Sequence, residues 1–293
     1  MPRTFDRRCA ELRGYALGRA RLGTRRTRSP WAWFAVAGLA LTLATASGSA
    51  QSAPSPTHSA ADSVNRAITA LGGVEAYRKA MNAQLTCQVK TTAPQEGLTI
   101  TTQIQIVSRA DGARRLERDL AGRKHTLGTD GKVYWQRDPS GTVTELDAIA
   151  RESLRMDHIL QVILTEHDAL GYTAELTPPD PSATKATPLG TQVTFVKKTS
   201  NPASPAPGDR VSFTFHPETG LPVRISYVSP DPWGGSPFSV TFEYTNYRTV
   251  DGARIAHSVR QLRDGKSAFE ITVTAIAIGV VADDATFSKP PKS

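Results

Sequence analysis

Cysteine, histidine and paired carboxylates are the residue types that most often carry nucleophilic or metal chemistry, and this chain offers few of them at useful spacing. Its two cysteines, Cys9 and Cys87, form no Cys-x-x-Cys pair, and no histidine lies close to Cys87 in the sequence. We interpret Cys87 as a small buried strand residue, because a free cysteine commonly packs like an apolar side chain. No Gly-x-Ser-x-Gly nucleophile motif is present either.

The histidines and the acidic residues give no metal or acid–base site. No His-Glu-x-x-His motif and no pair at i, i+4 occurs among the six histidines, which are His58, His125, His158, His167, His216 and His257. We interpret Asp283-Asp284, the adjacent carboxylate pair near the C-terminus, as a solvated turn. We therefore predict no catalytic residue, no bound metal, no cofactor and no enzymatic activity. An enzyme with a dispersed active site is the alternative that a motif search leaves open.

The chemistry that remains is the binding of apolar groups. Large apolar residues alternate with polar ones in several segments, and this period of two places the apolar side chains on one face of a strand. A curved sheet with such a face can form an apolar pocket that favours acyl chains, because burying each CH₂ contributes about 0.8 kcal/mol. The predicted cavity residues are Leu98, Ile100, Ile104, Ile106, Trp135, Phe213, Phe215, Val240, Phe242 and Ile271.

The elements that position these residues are mostly strands. Asp-Gly and Thr-Gly pairs separate the alternating segments, and such short turns join antiparallel neighbours. The simplest architecture is therefore one large antiparallel sheet that meanders from strand to strand. The predicted strands cover residues 83–91, 98–106, 112–119, 131–137, 171–177, 191–198, 211–215, 221–227, 238–244, 253–262 and 269–273.

Helical periodicity occurs in three places. One helix is predicted to begin near Asp62, acting as the N-cap, and to end at Gly72-Gly73, and a second short helix follows over residues 74–81. Asp147 is predicted to cap a longer helix that reaches about residue 168. A sheet this large must curl or be covered on its apolar face, and these helices supply a partial cover.

The charge of the chain is concentrated in its first 30 residues. The full sequence carries a net charge of +8, and residues 1–30 hold nine arginines against two acidic residues. Residues 51–293 hold 26 basic and 25 acidic side chains, a net charge of +1. Because a nucleic-acid-binding surface needs clustered cations, this near-neutral body predicts no nucleic-acid partner.

The residues after these arginines have the features of an export signal. Residues 31–46 are uncharged and apolar, and small residues follow them, which predicts a secretory signal peptide over residues 1–50. The uncharged run to Ala50 is also about long enough to span a bilayer, so an uncleaved anchor is the alternative. Residues 51–60, rich in Ser, Pro and Ala, predict a disordered tether. A single domain is then expected over residues 61–291.

Several stretches, taken in order, resemble the superfamily of periplasmic lipoprotein-carrier proteins, which includes LolA-like and LolB-like proteins. The similarity covers roughly residues 61–291, and the order of the pieces carries it more than any one motif. The stretches are residues 70–73 (ALGG), 130–135 (DGKVYW), 216–224 (HPETGLPVR), 247–255 (YRTVDGARI) and 283–290 (DDATFSKP).

The resemblance implies an α+β protein that is mainly β, with a large curved antiparallel sheet forming an unclosed β-barrel under a helical lid. It also implies a periplasmic, monomeric carrier of lipids or lipoprotein acyl chains for outer-membrane lipoprotein sorting, with transient membrane contact. The chain is longer than a classical carrier, and no functional residue of that family matches a particular position here. An alternative within the same superfamily is an envelope-stress signalling module that binds an anti-sigma factor or another envelope protein.

Overall fold

The computed structural model describes residues 59–93, 98–120, 122–178, 190–231 and 236–291. The predicted leader over residues 1–50 lies outside this range, as do residues 51–58 of the predicted tether. The helices are α1 (Ala60–Ala70), α2 (Val74–Met81), α3 (Ala148–Glu166) and α4 (Asp284–Phe287). The strands are β1 (Ala83–Ala93), β2 (Leu98–Ser108), β3 (Arg114–Leu120), β4 (Arg123–Thr129), β5 (Tyr134–Arg137), β6 (Val143–Glu145), β7 (Tyr172–Thr177), β8 (Gln192–Lys197), β9 (Arg210–Phe215), β10 (Pro222–Ser229), β11 (Phe238–Val250), β12 (Ala253–Arg263) and β13 (Lys266–Ile278).

All thirteen strands of the described residues belong to one antiparallel sheet, in the order β6-β5-β4-β3-β2-β1-β13-β12-β11-β10-β9-β8-β7. The sheet consists of two meanders, β1 to β6 and β7 to β13, which join where β1 pairs with β13. The edge strands β6 and β7 do not pair with each other, so the sheet is not closed. This arrangement confirms the prediction of an unclosed β-barrel with a small helical part.

The helix α3 connects the two edges of the sheet, because it follows β6 and precedes β7 in the chain. Asp147 caps it as predicted, with its carboxylate accepting hydrogen bonds from the N–H groups of Ile149 and Ala150 at 3.1 and 2.8 Å. Such a cap stabilises a helix N-terminus by about 1 kcal/mol. The connection from edge to edge gives α3 the position of a cover over the sheet.

The start of α1 differs from the prediction. Ser59, not Asp62, is the N-cap, since its Oγ accepts the N–H of Asp62 at 3.0 Å. The Asp62 carboxylate in turn accepts the N–H of Ser59 at 3.0 Å, which completes a capping box. Asp62 therefore stabilises the helix from its third position instead of preceding it, and Ala60 already lies in the helix.

Three short elements were absent from the prediction. The strand β4 (Arg123–Thr129) has a single large apolar residue, Leu127, so it lacks the alternation that marks the other strands. The three-residue strand β6 is too short for any periodic pattern. Asp283-Asp284, predicted to be a solvated turn, instead begins α4, where Asp283 caps the N–H of Thr286 at 2.9 Å.

The bend between α1 and α2 lies against the turn between β11 and β12. Gly72 has φ +110°, and a Cβ placed on it would lie 2.2 Å from the carbonyl oxygen of Gly252. The N–H of Arg254 donates to the carbonyl of Leu71 at 2.9 Å. Because only glycine tolerates both this φ and this approach, Gly72 fixes the helical pair against the sheet.

Candidate apolar ligand-binding face

The register of the sheet shows which predicted cavity residues share a face. Residues directly opposite each other in an antiparallel pair project to the same side. Ile104 is opposite Cys87, which is opposite Val273, and the chain of pairs continues across β13, β12 and β11 to Phe242. Phe242 is opposite Ile225 on β10. We call the side of the sheet to which these residues project the inner face.

The structure brings most of the predicted residues to this inner face. Leu98 begins β2, and its side chain lies outside the described part. Ile100 is 47% exposed, whereas most of the others are buried or half-buried. The predicted residues whose side chains lie on the inner face are Ile100, Ile104, Ile106, Phe213, Phe215, Val240, Phe242 and Ile271.

Trp135 does not join them. It is opposite Gly128 on β4, which is opposite Arg115 on β3, and this row projects to the other side of the sheet. A Cβ on Gly128 would lie 2.2 Å from the Trp135 ring, so the glycine makes room for the indole. The ring is 1% exposed, and its Nε1–H donates to the carbonyl of Phe287 in α4 at 2.9 Å. Trp135 thus anchors the C-terminal helix.

One part of the inner face is packed against helices, and we call it the helix-covered core. It combines apolar side chains of α1 and α3 with those of β7 to β11. Phe195 and Phe213 meet edge to face with ring centroids 5.4 Å apart, an arrangement that aromatic pairs favour. Its most buried members include Ala67, Ile163, Val193, Phe195 and Val211.

A second apolar cluster of the inner face contains only strand residues, and we call it the strand-only patch. It lies across β3, β2, β1 and β13, the neighbouring strands on either side of the junction between the two meanders. Four such strands span about 14 Å at the usual spacing. No helix residue belongs to it among the described residues. Its members are Cys87, Ile104, Ile106 and Val273, with Leu85, Val89, Leu116, Ile271 and Ile276 packed against them.

An ion pair joins the two parts of the inner face. Arg114 of β3 donates from Nη1 to the Asp157 carboxylate of α3 at 3.2 Å. Burial raises the pKa of Asp157, and the charge of Arg114 offsets part of that effect. Burial, and after it the charge of Asp157, also raises the pKa of Tyr227 on β10. Asp157 therefore projects from the helix toward the sheet and not toward bulk water.

Buried phenols line the region between the helices and the sheet. Burial raises the pKa values of Tyr77, Tyr244 and Tyr247, so all three hydroxyls stay neutral. The hydroxyl of Tyr77 donates to the carbonyl of Gln161 in α3, and that of Tyr247 donates to the carbonyl of Pro222 at 2.6 Å. These contacts attach α2 and β11 to their neighbours by aromatic side chains with one polar end.

A pocket of 660 Å³ lies along β11, β12 and β13 and extends to the β9–β10 hairpin. Among the predicted cavity residues, Ile271 lines it, together with Tyr244, Val259 and the hairpin residue Leu221. Its volume falls within the range of about 300–1,000 Å³ that is typical of small-molecule sites. Its lining also includes Glu243, Arg260 and Glu270, which are opposite one another in the register and project to the other side of the sheet, so the pocket is not confined to the inner face.

The titratable groups near the patch, a thiol and an imidazole, are buried and neutral. Burial raises the pKa of the Cys87 thiol to about 11, so the thiolate needed for nucleophilic attack is scarce at neutral pH. Burial also lowers the pKa of His125, which keeps its imidazole neutral. Within the described residues, no group of three or more His, Cys, Asp or Glu side chains is placed to hold a metal ion.

Comparison with solved structures relates this architecture to known proteins. A domain from Vibrio parahaemolyticus described as an outer membrane lipoprotein-sorting protein superposes with a TM-score of 0.50 at 11% identity, covering 78% of this chain and 97% of that one. A DUF1329 family protein from Desulfovibrio piger superposes with a TM-score of 0.52 at 13% identity, covering 77% and 95%. The fold is LolA-like.

A LolA superfamily protein from Nitrosomonas europaea also matches, with a TM-score of 0.49 at 13% identity over 76% of this chain and 97% of that one. No protein-family model and no curated protein matches the sequence. In the part of the chain that the structure describes, every helix is too short or too polar to cross a membrane.

Sequence patterns did not identify the polar residues of this LolA-like fold that face inward. Arg114, Arg118 and Asp157 are charged, and a charged residue on an amphipathic element is usually predicted to be solvated. The available signal was the alternation on β3, in which Arg114 and Arg118 have the same parity as the half-buried Leu116 between them. Their inward direction follows from that alternation once the inner side of β3 is known.

Proposed function

We propose that this protein is a periplasmic carrier or binding protein for lipids or lipoprotein acyl chains in outer-membrane lipoprotein sorting. The observation that carries the proposal is the strand-only patch, an apolar surface on the inner face to which no helix residue belongs in the described part of the chain. The fold and the predicted export signal support the same function. We further propose that it acts as a monomer, without cofactor, and contacts a membrane transiently.

The physical basis of the proposal is the burial of alkyl groups. The half-buried members of the patch, such as Val89 and Ile271, retain apolar surface that a bound chain can remove from water. Each CH₂ of an acyl chain that is buried there contributes about 0.8 kcal/mol. Ten such groups gain about 8 kcal/mol, and subtracting an association cost of about 4 kcal/mol leaves about 4 kcal/mol, which corresponds to roughly millimolar binding, so tighter binding needs a longer chain or further contacts.

The experiment is lipid analysis of the protein purified from the periplasm of an expression host. Organic extraction followed by mass spectrometry should recover bound lipid, and a fatty acid should displace the neutral probe N-phenyl-1-naphthylamine. Absence of both signals would contradict the carrier function. It would favour the envelope-signalling alternative, in which a protein partner is the ligand.

A matched pair of variants on β2 tests the surface itself. Ile104→Asp places a carboxylate on the strand-only patch, and we expect at least about tenfold weaker probe binding, because a charge on an apolar surface must be desolvated. Gln103→Asp is the control, since Gln103 is the next residue, is exposed and projects to the other side. Equal affinity of the two folded variants would exclude the patch as the binding surface.

A further inference from the structure

Two arginines of β3 project to the inner face beside the strand-only patch. Arg118 is opposite Ile104 in the pairing of β3 with β2, and Arg114 is opposite Ser108. Between them, Leu116 is opposite Ile106 and packs against the patch. Because side chains of the same parity share one side of a strand, both guanidinium groups lie at the β3 side of the apolar cluster.

The Arg114 side chain is held in a poorly solvated position. It is 15% exposed. Its charge lowers the pKa of the Cys87 thiol, although burial raises that pKa by more, and this electrostatic effect places the guanidinium near the patch. Its Nη1 donates to Asp157, whereas Nε is buried without a hydrogen-bond partner within the described residues. A guanidinium carries five N–H donors, so Arg114 retains capacity for a further acceptor.

Arg118 is also partly removed from water. Burial lowers its pKa, which means that its charged form is partly desolvated. It is opposite His125 on β4, and its charge contributes, after burial, to lowering the pKa of that imidazole. His125 is thereby kept neutral.

Guanidinium groups in low-dielectric surroundings bind carboxylate and phosphate oxygens in a bidentate manner, and these charge-assisted hydrogen bonds are stronger than neutral ones. Asp157 supplies one carboxylate to Arg114, but burial raises its own pKa, so it is an imperfect counter-ion. An anionic group delivered by a ligand would supply further acceptors to both arginines.

We propose that Arg114 and Arg118 bind the anionic head group, a carboxylate or a phosphate, of an amphiphile whose alkyl tail lies on the strand-only patch. The proposal rests on the proposed function, because it assigns the head-group contact of the same apolar site. The head group then lies at β3, and the tail runs from β3 across the patch toward β13. Binding therefore selects a charged amphiphile over a neutral one with the same tail.

The test compares three ligands that share a twelve-carbon tail. Dodecanoate, dodecyl phosphate and dodecanol each compete with N-phenyl-1-naphthylamine for the exported wild-type protein, below their aggregation concentrations. We expect at least one anionic ligand to displace the probe at about tenfold lower concentration than dodecanol, and the two anions identify the preferred head group.

Variants then assign the preference to the two arginines. Arg118→Gln and Arg114→Gln should each reduce the anion preference about threefold or more while dodecanol displacement stays unchanged. Arg137→Gln, at an exposed position of β5 that projects to the other side of the sheet, is the control and should keep the wild-type ratio. Since Arg114→Gln also removes the contact with Asp157, Arg118→Gln, with its thermal unfolding measured, is the decisive variant.

The outcomes separate the two proposals. The head-group site is overturned if dodecanol and the anions displace the probe at equal concentrations, or if the anion preference survives in Arg118→Gln. Either result leaves the carrier function standing. Failure of all three ligands to displace the probe overturns the carrier function itself.

Discussion

The helix-covered core and the strand-only patch lie on the same face of one sheet and arise from the same alternation of apolar and polar residues. They differ in what covers them: α1 and α3 pack on the first, and no helix residue of the described chain belongs to the second. The four central residues of the strand-only patch are 1–9% exposed, and its surrounding members, such as Val89 and Ile271, are half-buried and retain apolar surface. The comparison teaches that periodicity locates an apolar face, while topology determines which part of it packs against helices.

Truncation at one site in each region tests this difference most strongly. Phe213→Ala in the helix-covered core, where the side chain is 1% exposed, should lower the free energy of unfolding by about 4 kcal/mol, because it leaves a cavity between sheet and helices. Ile104→Ala in the strand-only patch, where the side chain is 7% exposed, should cost about 2 kcal/mol, because a smaller side chain is removed and its neighbours Leu116 and Ile271 are only half-buried. Urea unfolding of both variants measures the two values. Equal costs would mean that the two regions are covered alike.

Trp135→Phe tests whether binding belongs to the inner face alone. The substitution removes the hydrogen bond to Phe287, and we expect a loss of about 1 kcal/mol in the free energy of unfolding. Affinity for the neutral probe should equal that of the wild type, because the indole lies on the other side of the sheet. A weakened probe affinity in this variant, at unchanged fold, would extend the binding site to the opposite face.

The smallest expected effect concerns the ion pair between the two regions. Burial raises the pKa of Asp157, so its ionised form is disfavoured in the folded state. The stability that this group contributes is present below the ordinary carboxyl pKa and is lost as the pH rises through the raised folded value. Asp157→Asn cannot ionise, and it should gain stability relative to wild type as the pH rises above about 4.

We expect this gain to stay below about 1 kcal/mol, because Asp157 is partly exposed and the substitution leaves Arg114 with a neutral partner. Thermal unfolding of both proteins across the pH range measures it. If Asp157→Asn instead becomes less stable than the wild type as the pH rises, the ion pair with Arg114 outweighs the cost of burying the carboxylate.

The fold could be predicted from the sequence wherever side chains alternate strongly. The strand around Ile104, the strands from Val211 to Phe242 and the helix capped by Asp147 were predicted and are confirmed. The prediction missed β4 because its buried residues include His125 and Thr126, whose polarity conceals their burial. Tertiary contacts, not local pattern, place those side chains inside the protein.

The candidate site was predicted less completely than the fold. Alternation correctly assigned Ile104, Phe213 and Phe242 to one face, but a local pattern carries no information on which helices cover which strands. Trp135 was placed with them because an aromatic residue in a strand resembles a core residue, although its partners are Gly128 and α4. Such a choice of side depends on the pairing of strands that are distant in the sequence.

The pairing of β1 with β13 has a consequence for the order of folding. Every other strand pairing links neighbours in the chain, so each meander can form from local contacts, whereas Cys87 and Val273 meet only when the two halves of the polypeptide come together. Closing so long a loop makes this seam the slow step of assembly. The strand-only patch lies across the seam. The proposed binding surface is therefore completed only when β13 joins β1, and a chain that stops before β13 keeps the patch residues of β1 to β3 but lacks Ile271, Val273 and Ile276.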